Sequence, residues 1–179
     1  MGFISLGLSE VQVGAIAADG GEATSYTKIG KTYENTCKLT QEKADVTEHY
    51  EEGQSAPEVR KKKKKVPILT FSIMDPDCAF LQAYLGGTTT GSGDDMEWSW
   101  SDTDEDIEAS IRIIPEIGLV YTIPRADIEA IINADMSSQG INLVEFTVTP
   151  LKPTKSGVAT MRARKKTSTF PTSTTKSST

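Results

Sequence analysis

The sequence predicts a mainly β fold with one or two short helices and a long protruding β-hairpin. Three observations carry this prediction. Apolar residues recur at every second position, as in Leu69, Phe71, Ile73 and in Val144, Phe146, Val148, the period of a strand with one buried face. Strong helix formers are concentrated nowhere, while β-branched residues and Gly, Ser and Thr are frequent. Finally, "EHYEEGQSAPEVRKKKKKV" (48–66) sets acids on one side of a Gly/Ser/Pro turn and an unbroken basic run on the other. Two antiparallel arms of opposite charge would have this layout, and each cross-strand pair would contribute about 0.2–1 kcal/mol.

Taken in order, "VQVGAIA" (11–17) reads as a strand ending in a loop at Asp19-Gly20-Gly21. Thr36 to Tyr50 contains no Gly or Pro and reads as one long, largely exposed strand. Gly53 to Pro57 is the turn. The return strand enters the core at Leu69, Phe71 and Ile73, so the whole hairpin spans about residues 36–73. Pairing centred on Gln54 and Ser55 would place Glu48 opposite Lys61, Asp45 opposite Lys64 and Glu51 opposite Glu58.

"MDPDCAFLQAYLGG" reads as a helix, with Asp75 as N-cap, Pro76 at the first position and Gly86-Gly87 as the stop. Phe80, Leu81, Tyr84 and Leu85 share one face, the spacing of a core-packing helix. "GGTTTGSG" (86–93) reads as a flexible loop. Strands follow from Ile107, broken at Pro115 and ending at Pro124. "RADIEAIINADMSSQG" (125–140) reads as a second short helix, and "INLVEFTVTPL" as the last strand. Residues 1–153 then form the β domain, and 154–179 a flexible Thr/Ser/Lys-rich tail.

The formal net charge is −6, and the segment from Met161 onward carries +5, so the remainder carries −11. A body this acidic repels nucleic acid as a whole. The N-terminus lacks the charged and apolar regions of a signal peptide, and no apolar run approaches membrane-spanning length. Cys37 and Cys78 have no metal-ligand spacing and read as reduced thiols.

Motifs for chemistry are sparse. The single histidine, His49, sits in the charged hairpin, where a solvated side chain explains it better than a catalytic triad. Between Asp94 and Glu108 stand Asp94, Asp95, Glu97, Asp102, Asp104, Glu105, Asp106 and Glu108. "DTDED" lacks the spacing, central Gly and final Glu of a calcium loop. "GGTTTGSG" lacks the Lys-Ser/Thr ending of a phosphate loop. Trp98 and Trp100 stand among acids, so they suit core or interface anchors better than a base-stacking platform. No catalytic set, metal site or cofactor motif emerges, and the expectation is a non-enzymatic protein.

In element order the chain resembles the major tail tube proteins of long-tailed bacteriophages and their relatives in contractile injection systems. The features that carry it are the strand start, the hairpin "TCKLTQEKADVTEHYEEGQSAPEVRKKKKKVPILTFSI", the capped "DPDCAFLQAYLGG", and "IPRADIEA" leading to "GINLVEFTVTPLKP". They cover most of residues 4–153. The resemblance implies a β-sandwich or half-barrel that assembles into hexameric rings, stacked into a tube that conducts DNA without binding it specifically. It implies a place in the virion tail after synthesis in the bacterial host cytoplasm, with initiator, terminator or sheath proteins as partners. The hairpin would be the inter-subunit arm, through Asp45, Glu48, Glu51, Glu52, Arg60, Lys61, Lys62, Lys63, Lys64 and Lys65. The eight acids from Asp94 to Glu108 are candidates to face the lumen.

Two other functions compete. A nucleic-acid-binding module would use Arg60 to Lys65 together with Arg162, Arg164, Lys165 and Lys166. A calcium- or carbohydrate-binding β-sandwich would use the acids from Asp94 to Glu108.

Overall fold

The computed structural model describes residues 4–103 and 105–167. Among them the elements run β1 (Glu10–Gly14), β2 (Thr27–Lys28), β3 (Lys38–Thr40), β4 (Asp45–His49), β5 (Val59–Lys63), β6 (Ile68–Ile73) and α1 (Cys78–Leu85). Then come β7 (Thr88–Thr90), a 3-10 turn (Gly93–Asp95), β8 (Glu97–Ser99), β9 (Glu108–Ile114), β10 (Leu119–Ala134), β11 (Asn142–Pro150) and β12 (Arg162–Lys165). The fold is mainly β, and every strand pairing is antiparallel.

The main sheet has the order β2-β1-β9-β10-β11-β6-β3, with β12 added to β10. Its two ends meet. Just past β2, Ile29 donates its N–H to the Val11 carbonyl, and Tyr33 and Lys31 then hydrogen-bond to Ser72 and Met74 at the end of β6. One short segment therefore touches strands from opposite ends of the path, and the sheet curls into a barrel around a single core. Val11, Ile111, Ile123, Val144, Val148, Leu69 and Ile73 are fully buried in it. Each contributes about 1.5–3 kcal/mol relative to exposure. Phe71 and Phe146 are cross-strand partners and stack with centroids 4.9 Å apart. The predicted apolar face of α1 closes over them, with Phe80 and Tyr84 edge-on to Phe146 at 5.8 and 5.3 Å.

The other face of β1 and β9 is buried too, but it is polar. Gln12 pairs with Arg112 in register, and both are covered by the loop after β1. The Arg112 guanidinium lies 3.8 Å over the Tyr26 ring and 2.9 Å from Glu22, which also pairs with Arg162 of β12. Gly14 permits this cover, because a Cβ there would stand 2.3 Å from the Ser25 carbonyl oxygen.

Several expectations are corrected. The second helix, 125–140, is absent: residues up to Ala134 belong to the 16-residue β10, and a turn follows. "ADIEAIINA" also carries period 2 through Ala126, Ile128, Ala130 and Ile132. With β11 available along nine residues, pairing outweighs local helix preference. Pro124 does not end the strand. It sits in a bulge, where the β9 register shifts between Ile123 and Ala126, so its missing N–H breaks no ladder bond. "GGTTTGSG" is not simply a loop, since β7 lies within it and pairs with β8. The cap of α1 is Asp77, which accepts from the Phe80 N–H at 2.7 Å, whereas Asp75 accepts from the Lys31 N–H. Beyond Pro153 the chain does not stay apart from the domain. β12 fills the edge of β10 at Leu119–Thr122, which β11, ending at Pro150, leaves free. The rest of the expected tail, 168–179, lies outside the described residues.

Candidate assembly interface

The long hairpin is real but interrupted. Thr40 pairs with Ile68 and Asp45 with Lys63, so the two ladders keep the same offset across a four-residue gap on each arm. The single strand expected over 36–50 is therefore β3 and β4. On the return arm the gap contains Pro67, which cannot donate to a ladder. Polar contacts span the gap instead. Gln41 Nε2 donates to the Lys65 carbonyl at 2.6 Å, and Lys65 Nζ lies 2.9 Å from Glu42 and 3.2 Å from Asp45.

The pairing centres on Gln54, one residue away from the expected register. Glu48 faces Arg60, Asp45 faces Lys63, and the ladder ends at His49 and Val59. Glu51 and Glu52 lie in the turn, beyond the ladder. Only Glu48 and Arg60 form an ion pair across it, at 2.9 Å. Lys61, Lys62, Lys63 and Lys64 are exposed and make no ion pair or hydrogen bond through their side chains among the described residues. Directly opposed side chains share a face. Val46, Lys62, Glu48 and Arg60 thus occupy one side of the tip, and Thr47, Lys61, Lys63, His49 and Val59 the other. No residue of β4 or β5 is buried. An isolated two-stranded hairpin is marginally stable at best.

The acidic stretch divides. Asp94 and Asp95 lie in the 3-10 turn, Glu97 opens β8, and Asp102, Glu105 and Asp106 lie in the segment leading to β9. All six are exposed and form no ion pair among the described residues; Asp104 is outside them. Glu108 is different. It holds Arg125 through two hydrogen bonds of 2.7 Å, which keep its carboxyl below the usual range, so it is not a free acid for a lumen wall. Among the described residues no three His, Cys, Asp or Glu side chains are grouped to hold a metal ion.

Trp98, which its acidic neighbours suggested as a core or interface anchor, packs inward. It is half-buried against α1 and donates Nε1–H to the Gly86 carbonyl at 2.9 Å. Trp100 is 69% exposed and forms one wall of an open groove of about 380 Å³. Leu85, Ile128 and Ala130 line the groove, Ile131 stands at its side at 53% exposure, and Asp102, Glu105 and Glu129 rim it. Sequence reasoning missed this groove, because it assigned Ile128 to Ile131 to a helix. The signal available was Ile131, Ile132 and Met136 continuing the apolar pattern beyond any core partner.

The second basic segment is engaged within the chain. Arg162 pairs with Glu22, and Lys166 Nζ donates to the carbonyls of Pro115 and Glu116 at 2.8 and 3.2 Å. Cys37 and Cys78 are both free, and burial pushes the Cys37 thiol up to about 11. No helix among the described residues is long and apolar enough to cross a membrane. Comparison with known protein families and with curated proteins finds no match to this chain.

Proposed function

We propose that this protein is a non-enzymatic structural subunit that assembles with copies of itself into rings and a tube, of the kind found in phage tails. One observation carries the reading. The β4–β5 tip projects from the barrel with nothing buried and, at its base, four lysines in a row without side-chain partners among the described residues, a structure that a second molecule would complete. Exposed Ile4, Leu6 and Ile117 near the N-terminus add edges that suit contact with neighbours. The acidic body suits a conduit along which a polyanion slides without sticking, and Asp94, Asp95, Glu97 and Asp106 are free to face it. Partners in the virion tail, such as initiator, terminator or sheath, belong to the same proposal.

The test is negative-stain electron microscopy of concentrated protein with light scattering on the same sample. Sixfold rings or tubes are expected. A protein that stays monomeric at high concentration and with its own tail-assembly partners overturns the reading. Lys61 to Lys64 alone favour a nucleic-acid-binding module, and salt-sensitive DNA retention by the wild type, lost when these lysines are neutralised, is what that alternative requires.

A further inference from the structure

The two unsatisfied surfaces of this chain lie at different levels along the same sheet. Ile128 and Ile131 are level with Leu69 and Ser72 through Val148 and Glu145, so the Trp100 groove lies alongside the body of β6. The hairpin tip leaves the sheet beyond Ile68. From Lys61 to Leu69 the extended chain covers roughly 26 Å at ~3.3 Å per residue. The contacts of Gln41 and Lys65 hold the intervening gap closed. The tip is therefore held away from the groove of its own chain.

Their chemistries match. The groove offers an apolar floor, with Trp100 and Ile131 exposed beside it, under three carboxylates, Asp102, Glu105 and Glu129, that form no ion pair among the described residues. The tip face formed by Lys61, Lys63 and Val59 offers two unpaired ammonium groups and an exposed aliphatic side chain. On that face Asp45 is held by Lys65 at 3.2 Å. Lysines two apart on a strand stand about 6.6 Å apart on one side, so both can meet a carboxylate rim while Val59 enters the floor.

We infer that the Lys61/Lys63/Val59 face of one copy docks into the Trp100 groove of the next. The inference rests on the self-assembly reading and names its two contact surfaces. Because donor and acceptor are different surfaces, the contact is head-to-tail. It closes into a ring where the rotation between copies returns to the start, and propagates as an open stack where it does not. It assigns Asp102 and Glu105 to a junction between subunits and leaves Asp94, Asp95, Glu97 and Asp106 for the lumen.

The test uses two full-length preparations, both carrying Cys37→Ser and Cys78→Ser. One adds Thr47→Cys, beside Lys61 on the tip, and the other adds Ser101→Cys at the groove. Mixing and mild oxidation should give a disulfide-linked heterodimer. Lys61→Glu with Lys63→Glu in the first preparation should slow the cross-link about tenfold or more. Asp102→Lys with Glu105→Lys in the second should restore it. A yield no higher than that of a control cysteine at Thr27, exposed on β2, overturns the inference. Rings without the cross-link also overturn it while leaving the self-assembly reading intact. The cross-link without rings supports this pair of surfaces and removes the tube. DNA retained by the lysine face without the cross-link assigns that face to a polyanion and overturns the inference.

Discussion

Glu22→Gln tests whether the polar layer outside the barrel is a structural unit. Glu22 neutralises Arg112, whose side chain is 9% exposed, at 2.9 Å and also holds Arg162 of β12. Gln keeps the size and a hydrogen-bond acceptor but removes the negative charge from beside a buried cation. Breaking a fully buried pair this way costs about 3–5 kcal/mol. Two features reduce the figure here: Glu22 is itself 20% exposed, and the Tyr26 ring lies 3.8 Å beneath the guanidinium. The expected loss is about 2 kcal/mol, equivalent to a fall in Tm of about 4–8 °C for a chain of this size. Urea unfolding followed by tryptophan fluorescence and far-UV circular dichroism measures it. A shifted midpoint with an unchanged m-value attributes the loss to the native state. Arg112→Met removes the other partner, and in the double variant the two losses should be strongly non-additive. A loss under about 0.5 kcal/mol for Glu22→Gln, or additivity within about 0.5 kcal/mol, would refute the idea that this ion pair holds the loop and β12 to the sheet.

Further outcomes follow from the core, the thiol and the hairpin. Phe146→Ala removes a ring stacked on Phe71 and edge-on to Phe80 and Tyr84, and should cost about 3–5 kcal/mol by calorimetry or urea unfolding. Because burial raises the Cys37 thiol from 9.0 to about 11, the folded state keeps its proton where the unfolded chain has lost it. The stability from this site is complete below about pH 9 and is lost as pH rises toward 11, and Cys37→Ala should flatten that part of the curve. Iodoacetamide at pH 9 should label Cys37 slowly until denaturant is added. Lys65→Ala removes exposed ion pairs and should leave the urea midpoint of global unfolding unchanged. The same change should speed amide exchange in β4 and β5 relative to β6, since Lys65 ties the gap to Glu42 and Asp45.

Much of this molecule was legible from local pattern. Alternation placed Leu69, Phe71, Ile73, Val144, Phe146 and Val148 inward, and all six are buried. Helical spacing placed Phe80, Leu81, Tyr84 and Leu85 on the core-facing side of α1, and all four pack against the core. The turn and the opposed charges announced the hairpin, with its register off by one residue. These features succeed because the period of apolar residues and the residue types of a turn act over a few positions, within reach of one sequence window. The acid stretch was legible as residues but not as a site. Nothing local distinguished Glu108, held by Arg125, from Asp102 and Glu105, which form no ion pair among the described residues. Residues 125–134 carried both periods, and only β9 and β11 on either edge made them a strand. Arg162 to Lys165 had the composition of a solvated tail, and only an empty stretch of β10 and the carboxylate of Glu22 made it β12. In each case the deciding partner lies far away in sequence. The unpaired N–H and C=O groups of an open strand edge, or a buried charge needing its counter-ion, set a free energy that no local pattern encodes.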